Sequence, residues 1–167
     1  MHVLDPQTLG DHLDRLFRAA WALCGSRDDA EDLVQETYAR VLARPRLLRS
    51  DNDLAYLLRV LRNTFITWQR AAALRPRAVD ADPEALDLPD IGAADPLLAA
   101  QTRQVLDAIS ALPAEFRDAV VAVDVAGLSY GEASKVLHLR GGTIASRLFR
   151  ARERVAQSLS LSLGSRE

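Results

Sequence analysis

The chain has 167 residues, of which 49% are apolar and 26% charged, and its net charge is −2. This length suits one ordinary domain or two small ones, and the apolar fraction argues against wholesale disorder. No run approaches the roughly 18 uncharged apolar residues of a membrane helix, and residues 1–15 lack a signal-peptide pattern. A single cysteine and three dispersed histidines offer no disulfide and no metal-ligand spacing. We therefore expect a cytoplasmic protein with no metal, no cofactor and no membrane insertion.

Residues 1–75 show the apolar spacing of amphipathic helices. This pattern predicts helices over residues 9–23, about 27–43 and about 53–72. Gly25 and Ser26 separate the first of these helices from the second, and Ser26 can cap the second.

Residues 76–96 contain four prolines, and six acids but no base lie between residues 78 and 96. Proline blocks helix propagation and the acids repel one another, so we expect a flexible acidic linker. It separates a domain over residues 1–75 from a second over residues 97–167. Each half is small for an independent core, so we expect the halves to lean on each other or on a partner.

The second half also shows helical spacing, over residues 97–112 and from Pro113 to about residue 125. Ser129 and Glu132 have capping-box spacing and open a short helix that ends near Leu137. Thr143 then begins a long helix; only residues 159–163 alternate as a strand would. The fold class is therefore all-α, and the last two helices form a helix-turn-helix.

Five bases lie between Arg140 and Arg154, against the single acid Glu153. The second helix of a helix-turn-helix can enter the DNA major groove, where arginines bind guanine or phosphate. Phe149 has no place on the buried stripe and could contact a thymine methyl or a deoxyribose. The alternative is a surface helix whose Phe149 packs on the first half.

Three motifs of the second half together resemble region 4 of the extracytoplasmic-function (ECF) group of bacterial sigma factors. They are LPAEFR at 112–117, AGLSYGE at 126–132 and GTIASRLFRAR at 142–152. The resemblance implies contact with the β flap of RNA polymerase. It also implies binding to the −35 promoter element through Thr143, Ser146, Arg147, Phe149 and Arg150.

The segment CGSRDDAEDLVQET at 24–37 is similar to region 2 of the same group. The resemblance implies that its helix binds the clamp coiled coil of the β′ subunit. Spacings of three and four place Asp28, Asp32, Gln35 and Glu36 in one acidic strip, which suits a basic partner and repels DNA. The alternative for this strip is a solvated face of a helical bundle.

The segment LLRVLRNTFITWQR at 57–70 resembles the helix that captures the unpaired −10 strand in this group. Trp68 lies on the apolar stripe, which favours core packing over base stacking. The candidate −10 residues lie off that stripe or in the following loop, residues 71–77: Arg59, Arg62, Asn63, Ile66, Arg70, Arg75 and Arg77. The resemblance further implies that the linker threads the polymerase cleft.

The resemblance thus predicts an alternative sigma factor that binds core RNA polymerase and promoter DNA, is regulated by an anti-sigma factor and is not an enzyme. We also expect no additional C-terminal domain. A second hypothesis is a decoy that binds an anti-sigma factor without initiating transcription, because Val123 and Ala145 replace bases found in the family. A helix-turn-helix repressor is less consistent, since no dimerisation helix is evident.

Overall fold

The structure, a computed structural model, describes residues 2–44, 47–48, 52–73 and 95–164. Within these ranges the fold is helical, as the sequence predicts. One small antiparallel pair joins β1 (His2–Val3) to β2 (Leu47–Leu48), and a 3₁₀ turn covers Pro6–His12. The helices are α1 (Leu13–Cys24), α2 (Arg27–Ala43), α3 (Asp53–Ala72), α4 (Pro96–Ser110), α5 (Ala114–Val120), α6 (Tyr130–Leu137) and α7 (Gly141–Gly164).

Short-range hydrogen bonds set where the first three helices begin and end. Gly25 ends α1 with a left-handed φ of 79°, and its N–H donates to the Trp21 carbonyl at 2.8 Å. The Ser26 hydroxyl accepts from the Asp29 N–H and opens α2. Asn52 opens α3 in the same way, accepting from the Ala55 N–H at 2.9 Å. The predicted bounds of α2 and α3 are confirmed, whereas α1 begins later because the 3₁₀ turn precedes it.

The apolar stripes of α1, α2 and α3 meet in one core. Its centre consists of fully buried side chains from each helix: Leu16 and Phe17, Leu33 and Val34, and Leu57 and Leu61. Burying each of these side chains contributes about 1.5–3 kcal/mol relative to exposure. This core fixes which sides of α2 and α3 remain outside.

In the second half, the predicted capping box at α6 is confirmed. Ser129 accepts from the Glu132 N–H, and the Glu132 carboxylate accepts from the Ser129 N–H. A π-helical segment, Val121–Val125, continues α5, and Gly127 at φ 79° ends it. The last helix begins at Gly141, earlier than Thr143, and it includes residues 159–163, so their alternation does not form a strand.

The two halves share a hydrophobic core, as their small sizes led us to expect. Helix α1 packs against both α2 and α4. The Trp21 indole N–H donates to Asp107 at 3.2 Å. A Cβ on Gly25 would lie 3.0 Å from the Ser110 hydroxyl, so glycine permits both the turn and the approach of α4.

Tyr38 provides a test of this packing. Its hydroxyl donates to the Leu9 carbonyl at 2.8 Å, and burial raises its pKa to about 12. The pKa of tyrosine in an unfolded chain is about 10. The stability that the neutral, buried Tyr38 side chain contributes is therefore complete below that pH and is lost as the pH rises towards about 12. We expect Tyr38→Phe to cost about 1 kcal/mol at pH 8 and to reduce the alkaline loss of stability.

Urea unfolding at pH 8 and pH 11.5 measures both effects. Thr37→Val, which removes a buried hydroxyl that donates to the Leu33 carbonyl on the same helix and does not titrate, should retain the wild-type pH dependence. Equal alkaline losses in the wild type and in Tyr38→Phe would contradict the assignment.

Candidate polymerase and nucleic-acid interfaces

The predicted acidic strip lies along α2, but its four residues differ in exposure. Asp28 and Asp32 are exposed, whereas Gln35 and Glu36 are half-buried. Glu36 accepts from the Trp68 indole N–H at 2.5 Å and also pairs with Arg40. The carboxylate of Glu36 therefore joins α2 to α3, while Asp28 and Asp32 carry the exposed charge of the strip.

The predicted −10 residues of α3 lie on one side of that helix, since their spacing keeps them within about 100° around its axis. Arg59, Asn63 and Arg70 are exposed, and Ile66 is half-buried between them. Trp68 packs against the core, as its place on the apolar stripe predicts. Residues 74–94, which include Arg75, Arg77 and most of the predicted linker, lie outside the described residues, and Pro96 already belongs to α4.

Arg62 differs from its neighbours because it is already bound within the protein. Its Nε and Nη2 atoms lie 2.9 and 2.8 Å from Asp118 Oδ2, on α5 of the other half. The side chains of the two residues are only 26% and 14% exposed. Arg62 is thus half-buried at the contact between the halves rather than extended into solvent.

The predicted −35 residues lie along the first part of α7. Ile144, Leu148 and Ala151 form its buried stripe. The opposite side presents Thr143, Ser146, Phe149 and Arg150, of which only Thr143 is half-buried. Phe149 is 64% exposed, so the alternative in which it packs on the first half is wrong.

Arg147 lies beside this face rather than at its centre. Its Nη2 atom is 3.9 Å from Glu115 Oε2, which draws the guanidinium towards α5. At about 100° per residue, Arg147 lies roughly 60° from Arg150 around the α7 axis. The structure therefore brings Ser146, Phe149 and Arg150 together and places Arg147 at the margin.

Comparison with known proteins gives these surfaces a common context. The sigma-70 region 2 family matches residues 9–75, and the sigma-70 region 4 family matches residues 102–155. The chain is 33% identical over 149 residues to the ECF RNA polymerase sigma factor EcfG of Rhodopseudomonas palustris, covering 84% of this chain and 76% of that protein. The chain belongs to the ECF sigma factors.

Two further matches show its relation to the group. It is 34% identical over 154 residues to the ECF RNA polymerase sigma factor SigE of Mycolicibacterium smegmatis, covering 89% of this chain but 59% of SigE. The sigma factor RpoE of Bartonella quintana, in its complex with the anti-sigma factor NepR, superposes with a TM-score of 0.69. That match has 27% identity and covers 92% of this chain and 95% of RpoE.

Polar contacts between the halves of this ECF sigma factor were not evident from its sequence. Three second-half carboxylates each accept from the first half: Asp107 from Trp21, Asp118 from Arg62, and Glu132 from Asn52. The hydrogen bonds from the Ser129 backbone and the Asn52 amide lower the pKa of Glu132. These partners lie 56 to 86 residues apart in the chain, so no local pattern links them.

Neither a metal-binding cluster nor a membrane-spanning helix is present in the described parts of the sigma factor. They contain no group of three or more His, Cys, Asp or Glu side chains that could hold a metal ion. No described helix combines the length and the apolar composition that a membrane-spanning segment requires.

The Arg62–Asp118 contact can be measured by a double-mutant cycle. Arg62→Ala, Asp118→Ala and the double variant should give a coupling free energy of about 1–2 kcal/mol, because the ion pair is largely shielded from water. Urea unfolding of the full chain provides the values. The exposed Arg18–Asp14 pair on α1 is the control and should couple by about 0.3–0.5 kcal/mol. Equal couplings would argue against a shielded contact.

Proposed function

We propose that this protein is an alternative sigma factor that binds core RNA polymerase and directs promoter recognition and transcription initiation. The observation that carries the proposal is the separation of two exposed surfaces of opposite character. One is the acidic side of α2 around Asp28 and Asp32; the other is the side of α7 that presents Ser146, Phe149 and Arg150. An acidic surface suits a basic protein partner, whereas an exposed arginine beside an aromatic ring suits DNA.

Under this proposal the first domain, residues 1–75, binds the β′ clamp and captures the −10 strand. The second domain, predicted over residues 97–167, binds the −35 duplex and the β flap. The predicted linker of residues 76–96, whose last residue belongs to α4, connects the domains. Exposed Arg59 and Arg70 supply charge for phosphates, while Asn63 offers both a donor and an acceptor to a base edge. The polymerase performs the chemistry, so the sigma factor itself needs no catalytic residues.

An anti-sigma factor is the expected regulator. RpoE of Bartonella quintana is found with NepR, which supports a protein inhibitor for this chain as well. The inhibitor and the polymerase would compete for the same sigma factor. Any activity test therefore requires that the inhibitor is removed first.

A second candidate is the decoy, which binds an anti-sigma factor but starts no transcript. The Arg62–Asp118 contact favours it, because that arginine is occupied in the free chain. Run-off transcription separates the two candidates: the purified chain and core polymerase should give transcripts with defined start sites on genomic fragments. Anti-sigma binding without any transcript would establish the decoy.

Asp32 tests the polymerase surface. We expect Asp32→Arg to weaken assembly with core polymerase by about tenfold, because reversed charge repels a basic partner, and to leave affinity for −35 duplex DNA unchanged. Titration of labelled chain with core polymerase measures assembly. Asp11→Arg, an equal charge change at an exposed residue outside α2, is the control. Equal loss of both affinities in Asp32→Arg would contradict two separate surfaces.

Asn63 tests strand capture. Asn63→Ala should slow promoter opening by about tenfold, as expected for a lost base contact of about 1–3 kcal/mol, while promoter binding changes less. Permanganate reactivity of unpaired thymines follows opening, and filter binding follows association. Gln101→Ala, which removes an exposed helical amide from α4, should behave like the wild type. Unchanged melting in Asn63→Ala would remove this role.

A further inference from the structure

The arginines of α7 do not form one uniform basic surface. Arg154 lies over the Phe116 ring at 4.6 Å, and Arg147 is drawn towards Glu115. Arg152 donates two hydrogen bonds to Asp124, from Nε at 2.9 Å and from Nη2 at 2.7 Å. Among the described residues, no ion pair is found for Arg150.

The Asp124–Arg152 pair connects α7 to the segment that leads into α6. Asp124 belongs to the π-helical segment, in which the Ala126 N–H donates to the Val121 carbonyl five residues earlier. A π turn contains an extra residue relative to an α turn, which changes the direction of the side chains within it. Asp124 is the main cause of the raised pKa of Arg152, and Tyr130, the first residue of α6, adds a smaller contribution.

Arg152 and Arg150 point to different sides of α7. Two residues at about 100° each place them roughly 160° apart around the axis. Arg150 lies with Ser146 and Phe149, whereas Arg152 lies on the side that meets Asp124. Arg152 could reach the same DNA surface only by giving up a two-bond charge-assisted contact.

We propose that Arg152, held by Asp124, is a positioning residue that sets the orientation of α7 relative to the segment leading into α6 for −35 recognition. It binds no phosphate itself. Arg150 supplies the phosphate or base contact, and Asp124 neutralises a charge that would otherwise add sequence-independent affinity. This inference rests on the proposed function and adds to it different roles for Arg150, which contacts DNA, and Arg152, which positions α7.

Salt dependence separates a phosphate contact from a positioning contact. Each phosphate contact to duplex DNA adds about 0.9 to the slope of log affinity against log salt. The full chain, assembled with core polymerase, is measured on the promoter mapped by run-off transcription and on the same fragment with a scrambled −35 element. Arg150→Gln should lower the slope by about 0.9, whereas Arg152→Gln should keep the wild-type slope.

Discrimination between the two fragments tests the positioning role. Arg152→Gln and Asp124→Arg should each reduce discrimination by about tenfold, within the range of coupled neighbours. The exchanged pair, Asp124→Arg with Arg152→Asp, restores the contact in reverse and should recover most of that loss. Tyr130→Phe, a mild change at an exposed residue, should cause a smaller loss of about two- to threefold and remains informative if a charge variant fails to fold.

A slope for Arg152→Gln that falls as for Arg150→Gln would overturn the inference, as would an exchanged pair no better than its single variants. Either result leaves the proposed function intact, provided the wild type starts transcripts on the mapped promoter. No promoter-dependent transcript from the wild type would overturn both.

Discussion

The packing of α1 against α4 is the constraint on which the other contacts depend. Each half is small for an independent core, and α1 packs against α2 and α3 in the first half and against α4 in the second, where Trp21 donates to Asp107. Gly25 keeps the end of α1 open to Ser110. Once α1 and α4 are together, α3 and α5 are close enough for Arg62 to meet Asp118. The polar contacts between the halves therefore follow from apolar packing.

This arrangement distributes charge in a way that suits a sigma factor with several surfaces. Carboxylates at the contact between the halves accept from partners in the other half, and Asp28 and Asp32 lie on the exposed side of α2. The exposed side of α7 keeps Arg150 and Phe149 together. Because exposed charges act over only about 8–10 Å at physiological salt, the acidic and basic surfaces can serve different partners despite a net charge near zero.

Much of this was predictable because its causes are local in sequence. The caps at Ser26 and at Ser129 with Glu132 involve neighbours three residues apart, and the period of the apolar residues on α7 predicts an exposed Phe149. The family resemblance then supplied the roles of the surfaces. What could not be predicted depends on which helices meet: Glu36 lies at the edge of its strip beside α3 and is bound to Trp68. Asp124 pairs with Arg152 from within a π turn, and no residue pattern in the sequence predicts that turn.

One polar chain links the beginnings of two helices from different halves. Asn52 caps α3 with its amide oxygen and donates through its amide nitrogen to Glu132, whose carboxylate also caps α6. Fraying at the start of α3 or of α6 therefore weakens the hydrogen bond between Asn52 and Glu132, and with it the cap of the other helix, although these residues are 80 positions apart. If the halves separate on polymerase, α6 loses the hydrogen bond from Asn52 to Glu132. Amide hydrogens in the first turn of α6 would then exchange faster in the open protein than in the closed one.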